Sequence, residues 1–262
     1  MANATDPKPS LRVAVVQQAA SLNPQENRER LAQLTPEGSD LVVYPEAFAR
    51  DFGEPGSDVS AFAESLDGDF ARALEAVAAE RGTTVVAGMF EPSDDPGRPF
   101  NTLLMRGAVA SAYRKIHLYD SFGFKESDRL TAGAISPVVV ELGGFAVGLM
   151  TCYDLRFPEM SRALVDAGAE VLVAPAAWVA GARKADHWRT LVRARAIENT
   201  CFVIAAGQPA PRYTGRSLVV DPWGEVLAEA GDGAEVITAV LDHAVLEEAR
   251  ATNPSLANRR MR

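Results

Sequence analysis

The sequence predicts an α/β fold in which two mixed β-sheets stack on each other with helices outside. Short β-type runs recur along the chain, and helical patterns separate several of them. Two strand-dense stretches, about 83–150 and 201–241, share the same make-up, as the two halves of a stacked fold would.

The β-type runs fall at 11–18, 41–44, 83–90, 102–106, 110–116, 138–142, 146–150, 171–174, 201–206, 217–220 and 236–241. A first helix is predicted over 23–34, where Asn23 supplies an N-cap and Pro24 suits the first turn. A second is predicted over 62–81, closed by Gly82 as a C-cap. The others cover 158–167, ending at Gly168, and 185–199, where apolar residues recur at helical spacing. Hairpins replace crossover helices between 83 and 150, and Pro222-Trp223-Gly224 marks a further hairpin turn. Loops 51–60 and 92–100 are rich in Gly, Pro and Asp but too short for domain linkers. One domain over 11–262 is therefore predicted, with 1–10 a disordered lead and about 251–262 a C-terminal tail.

Composition narrows the function classes. Of 262 residues 47% are hydrophobic and 23% charged, enough for a sizeable core. A net charge of -9 and a pI near 5.0 argue against nucleic acid or an anionic membrane as the main partner. Nowhere does the chain reach the roughly 18 apolar residues needed to cross a membrane. Residues 1–10 are polar and lack the apolar stretch of a secretory signal, so a cytoplasmic protein is expected. Two cysteines make no disulfide framework. With His117, His187 and His243 far apart, no zinc-site spacing appears.

Three segments place reactive residue types at strand ends. Leu41-Val42-Val43-Tyr44-Pro45-Glu46 is a buried-type strand stopped by proline, with a carboxylate directly after it. Tyr113-Arg114-Lys115-Ile116-His117-Leu118 closes another strand, and the segment 148–159 carries Cys152 from strand into helix. A rigid sheet brings such ends together. A sulfur at a strand-to-helix elbow meets backbone N–H groups and the positive end of a helix, both of which favour thiolate. Glu46 suits the base that takes the thiol proton and later activates water. The Lys115 ammonium and the Tyr153 backbone N–H suit an oxyanion, a contribution of roughly 3–4 kcal/mol per donor. Singly, each residue also has a structural reading: Cys152 as a core thiol, Glu46 as a helix N-terminal carboxylate, Lys115 as a strand-end charge. Cys201, heading the 201–206 run, reads as an inert core thiol.

Taken together these segments resemble the nitrilase superfamily. Tyr44-Pro45-Glu46, the Tyr-Arg-Lys-Ile-His-Leu around Lys115 and the Cys-Tyr-Asp-Leu-Arg-Phe-Pro-Glu from Cys152 are similar to its three catalytic segments, in order. The resemblance continues through Ala174-Pro175-Ala176-Ala177-Trp178, His187-Trp188, 193–199, Gly215-Arg216-Ser217 and 221–226, and so covers nearly the whole chain from about residue 11. It implies an αββα sandwich that pairs with a second copy, and a Glu–Lys–Cys triad of Glu46, Lys115 and Cys152. Glu126, in Phe124-Lys125-Glu126-Ser127, resembles a second glutamate that orients the lysine in many members; a solvated loop carboxylate is the alternative. The chemistry implied is acyl transfer through a thioester, with no metal or organic cofactor.

The lettering is nearest the Nit branch, which implies an amidase acting on small carboxylate-bearing amides such as ω-amides of α-keto acids or deaminated glutathione, with release of ammonia. N-carbamoyl amino acid hydrolysis, nitrile hydrolysis and a non-catalytic scaffold are the rival readings. Arg156 either binds a substrate carboxylate or forms a salt bridge with Glu159 or Asp154. Trp178 and Phe48 either wall the pocket or belong to the core, and His117 and His187 are expected to be structural hydrogen-bonders. The basic tail ending in Arg259, Arg260 and Arg262 either crosses a dimer partner or frays.

Overall fold

Alternation along the strands sorts the chain into layers. The computed structural model describes residues 8–261. One sheet contains β1 (Ser10–Gln17), β2 (Leu41–Val43), β3 (Thr84–Glu91), β4 (Phe100–Arg106), β5 (Ser111–Arg114) and β12 (Glu235–Asp242). The other contains β6 (Val138–Leu142), β7 (Phe145–Leu149), β8 (Val171–Ala176), β9 (Phe202–Gly207), β10 (Leu218–Val220) and β11 (Val226–Glu229). The helices are α1 (Pro24–Leu34), α2 (Asp69–Arg81), α3 (Pro158–Asp166), α4 (Lys184–Asn199) and α5 (His243–Thr252).

The spatial orders, β12-β1-β2-β3-β4-β5 and β11-β10-β9-β8-β7-β6, repeat one plan. In each sheet three strands run parallel, β1–β2–β3 and β7–β8–β9, with antiparallel strands on either side. Successive side chains of a strand face opposite ways. Leu11, Val13, Val15, Leu41, Val43, Val86 and Leu103 accordingly join the core shared with the second sheet. The intervening Ala14, Val16, Val42, Val85, Ala87 and Leu104 pack with Leu31 of α1 and Phe70, Leu74 and Val77 of α2. Leu164 of α3 and Trp188 and Val192 of α4 cover the second sheet. The layers are thus helix, sheet, sheet, helix, as the sequence predicts.

Four details differ from expectation. The second helix starts at Asp69, because the chain turns at 65–68 (Gly68 N–H to Ser65 O, 2.8 Å) and the Glu64 carboxylate accepts the Phe70 N–H at 2.8 Å. Sequence patterning does not mark the short, half-exposed β11, nor α5, which buries only Leu246 and Ala249. The Asp242 carboxylate caps α5 through the Ala244 N–H at 2.8 Å. Of the predicted lead, residues 1–7 lie outside the described part. Lys8 pairs with Glu247, and Pro9 O accepts the His243 N–H, so residues 8–10 belong to the fold. The tail folds back on its own chain, with Leu256 against the core and Arg259 paired with Asp166 of α3.

The chain beyond β2 stays bonded to β3 although Pro45 ends the strand: Tyr44 N–H to Val86 O at 2.8 Å, Gly88 N–H to Pro45 O at 3.2 Å, and Ala49 N–H to Gly88 O at 2.9 Å. This close passage requires glycine at 88, where a Cβ would stand 2.3 Å from Ala47 N and 2.8 Å from Glu46 Cα. Gly88→Ala is expected to cost about 1–3 kcal/mol and to displace Glu46. The urea midpoint checks the first effect, and a midpoint equal to wild type would contradict the close passage.

Candidate active site

Three strand ends converge here. Glu46 follows β2, Lys115 directly follows β5, and Cys152 lies three residues past β7. Cys152 takes a left-handed φ of 49° and opens a 3-10 turn, Cys152–Arg156, that leads through Phe157 into α3. Such a conformation is strained for a non-glycine residue and needs support from its surroundings. Asp154 supplies it. This fully buried carboxylate accepts the Thr151 N–H at 2.8 Å, the Tyr113 hydroxyl at 2.6 Å and the His117 N–H at 3.1 Å, and His117 Nδ1 lies 2.7 Å from it. The His117 ring stacks on Phe157 with centroids 3.9 Å apart. The cysteine elbow is thereby tied to the strand end that carries Lys115.

Lys115 is buried, and its ammonium donates to Glu46 Oε1 at 3.0 Å and to Glu126 Oε1 and Oε2 at 3.0 and 2.9 Å. Burial disfavours its charge, but Glu126, Glu46 and Cys152 outweigh that and hold its pKa well above the ordinary value. Glu46 Oε1 also accepts from Asn101 Nδ2 at 2.7 Å, and Oε2 accepts the Ala177 N–H at 2.6 Å. Gln208 Nε2 donates to the Glu46 carbonyl at 3.1 Å. Glu126 begins a short 3-10 turn, Glu126–Asp128, and accepts the Tyr119 N–H at 2.5 Å. Burial raises its pKa, Lys115 opposes the rise, and Glu46 adds to it.

Glu46, Lys115, Glu126 and Cys152 open onto one cavity of about 470 Å³. Tyr153, Arg156 and Trp178 line it too. Of the two partners expected for a structural Arg156, neither Glu159 nor Asp154 pairs with it among the described residues. Its guanidinium lies 4.7 Å from the Trp178 ring centroid, and Nε and Nη2 are buried without a partner.

Phe48 is not a pocket wall. It is fully buried with its ring 4.6 Å from Tyr44, in the core beneath α1 and α2. An extended chain would return residue 48 to the side of Glu46, but the left-handed φ of 55° at Ala47 turns it away. The expected thiolate is also corrected. Burial and the Glu46 carboxylate raise the Cys152 thiol well above its ordinary value, and Lys115 only partly offsets them. His187 differs as well, its Nδ1 being buried without a partner among the described residues. Cys201 is enclosed with its thiol toward Arg195 O at 3.8 Å, and burial pushes its pKa up to about 12.

Sequence reading missed Asn101, Gln208, Asp154 and the Ala177 N–H as supports of the site, and Lys184 as a cavity residue. Among the described residues no group of three His, Cys, Asp or Glu side chains is arranged to hold a metal ion. In the free protein the Cys152 thiol is expected to be neutral near pH 7, since a raised pKa delays ionisation. Alkylation by an uncharged reagent should keep accelerating above pH 9.0, the ordinary thiol value. A plateau near neutrality would mean that Lys115 prevails over burial and Glu46.

Comparison with known proteins agrees with this architecture. The family model described as carbon-nitrogen hydrolase matches residues 12–251. The deaminated glutathione amidase of Escherichia coli O157:H7 is 40% identical over 233 residues, covering 88% of each chain. XC1258 from Xanthomonas campestris, a CN-hydrolase superfamily protein solved with an arsenic adduct in its active site, superposes with a TM-score of 0.86 at 30% identity, covering 97% of this chain and 98% of its own. A glutamate-to-glutamine mutant of the amidase from Nesterenkonia sp. AN1, which carries the acetamide moiety of fluoroacetamide on its active-site cysteine, superposes with a TM-score of 0.79 at 28% identity, covering 95% and 94%. The chain therefore belongs to the carbon-nitrogen hydrolase family, the nitrilase superfamily that its sequence resembles, and is a hydrolase of carbon–nitrogen bonds.

Proposed function

We propose that the protein is a cysteine-dependent amidase acting on small amides whose acyl group carries a carboxylate. The observation that carries this reading is the Arg156 guanidinium, which has two buried nitrogens without partners and lines the same cavity as Cys152, Glu46 and Lys115. Buried guanidinium nitrogens without an acceptor are costly, and a substrate carboxylate would remove that cost. The relatives named deaminated glutathione amidases make deaminated glutathione a first candidate substrate.

In the proposed cycle Glu46 takes the Cys152 proton as sulfur attacks the amide carbon. A thiol kept neutral until substrate arrives suits such coupled transfer better than a standing thiolate. The Lys115 ammonium and the Tyr153 N–H stabilise the oxyanion. The Tyr153 N–H lies in the first turn after the nucleophile, where backbone donors lack acceptors within the helix. The leaving nitrogen takes that proton from Glu46 and departs as ammonia, leaving a thioester on Cys152 and Glu46 again a carboxylate. Water activated by Glu46 then attacks the thioester and frees the acid and the thiol. Glu126 keeps Lys115 charged and in place, and Trp178 walls the acyl chain.

The same reading places the protein in the cytoplasm, with both cysteines free, and pairs it as a homodimer. Support for the dimer comes from Ile197 on α4 and from Trp223 and Leu227 on the β10–β11 hairpin, which expose apolar surface that a second copy would cover. Light scattering should give the mass of two chains, and a monomer at micromolar concentration would contradict this.

The test of the function is incubation with amide, carbamoyl and nitrile substrates, with trapped acyl-enzyme read by mass. The adduct is expected on Cys152 from the amide, with ammonia released. Cys152→Ala should lose turnover by roughly four orders of magnitude or more while its circular dichroism stays that of wild type, and Cys201→Ala should keep full activity. An adduct on another residue, or turnover in Cys152→Ala, would contradict the assignment.

A further inference from the structure

Lys184 is misplaced for an ordinary surface lysine. It opens α4, where the positive end of the helix disfavours a cation. Only 9% of the residue is exposed, and among the described residues its ammonium has no carboxylate partner. Its Nζ donates to the neutral Tyr119 hydroxyl at 2.8 Å, and no ion pair to it occurs among the described residues. The ring centroids of Phe122, Tyr119 and Trp178 lie 4.1, 5.1 and 5.8 Å from the ammonium, which therefore sits among aromatic faces. The side chain lines the cavity that holds Cys152.

Arg156 stands alongside, with its guanidinium 4.7 Å from the same Trp178 ring. Burial and the neighbouring Arg156 both lower the Lys184 pKa, which marks two cations crowded without an anion between them. Most other cations of the cavity lie against carboxylates, although Glu54 and Arg129 also line it. Glu46 and Glu126 neutralise Lys115, Lys125 pairs with Asp128, and Arg212 pairs with Asp51. Among the described residues neither Arg156 nor Lys184 has such a partner. One carboxylate offers about four lone-pair sites, enough for a guanidinium fork and one ammonium donor together.

We propose that Lys184 is a specificity-determining residue which, with Arg156, forms a two-cation clamp on a single acyl-chain carboxylate, so that half-amides of dicarboxylic acids are selected over uncharged amides of equal length. The proposal rests on the reading of Cys152 as the acylated nucleophile. It adds a second anchor that fixes the carboxylate from the α4 side while Arg156 holds it from the elbow. It also gives the lysine its missing anion.

The test compares glutaramate with pentanamide in wild type, Lys184→Met and Lys184→Arg. Substitution leaves the Lys184 backbone carbonyl, which accepts the Trp178 Nε1–H at 3.0 Å, in place. In Lys184→Met the preference for glutaramate, as a ratio of kcat/KM values, should fall roughly tenfold to a hundredfold, with the change carried by KM. Lys184→Arg should restore part of it. An unchanged ratio overturns the proposal, whereas a purely structural role would depress both substrates alike. Calorimetry of glutarate with Cys152→Ala and with Cys152→Ala/Lys184→Met reads the clamp without turnover. Glutarate binding that depends on Lys184, in an enzyme that hydrolyses neither amide, upholds the clamp and overturns the amidase reading. Equal glutarate affinity in the two proteins overturns the clamp alone.

Discussion

A buried ammonium shared by two carboxylates sets the terms for the rest of the site. Removing Lys115, Glu46 or Glu126 from water costs several kcal/mol per ion unless each is matched. The match is close to complete: one Glu46 oxygen and both Glu126 oxygens accept from Nζ within 3.0 Å. Asn101, the Ala177 N–H and the Tyr119 N–H take up further carboxylate capacity. The cluster therefore draws on the ends of β2, β5 and β8, on β4 and on the loop before Glu126. A displacement in any of them leaves a buried charge short of a partner. Burial, with the Glu46 carboxylate adding to it, also raises the pKa of the neighbouring Cys152 thiol, and Lys115 only partly offsets the rise.

The two-sheet plan makes this cluster possible. Parallel strands place β2 and β8 with their exits toward the same end of the sandwich, and residues far apart in sequence meet there without a loop having to search for them. Asp154 is the latch between the sheets' contributions. Through Tyr113 and His117 it grips the strand end bearing Lys115, and through the Thr151 N–H it grips the elbow bearing Cys152. Gly88 has the corresponding part on the other side, giving the Glu46 segment room to lie on β3.

What the sequence revealed and what it hid follow from range. The continuous apolar run at 41–44, the Asn23-Pro24 helix start and the Gly82 stop are local, and the structure repeats them. Glu46, Lys115, Glu126 and Cys152 were legible as a set through their segments, although none is distinctive alone. Phe48 was misplaced because a single left-handed residue, Ala47, reverses the side it faces. α5 escaped because its apolar stripe is only two buried residues wide. Lys184 carried no signal of burial in the letters around it. Tyr119, which hydrogen-bonds it, lies 65 residues away in the chain. Asn101 and Gln208 were hidden for the same reason, since their partner is the Glu46 segment and not a neighbour in sequence.

The central claim, that the Lys115 cluster is held by charge matching, has a direct measurement in the unfolding free energies of Lys115→Met and of Lys115→Met/Glu46→Gln/Glu126→Gln. Glutamine keeps a carbonyl for the Ala177 and Tyr119 N–H groups while removing the charge. The single variant should lose about 3–5 kcal/mol by stranding two carboxylates, and the triple variant should recover most of that loss. A single variant no less stable than the triple one would contradict the account.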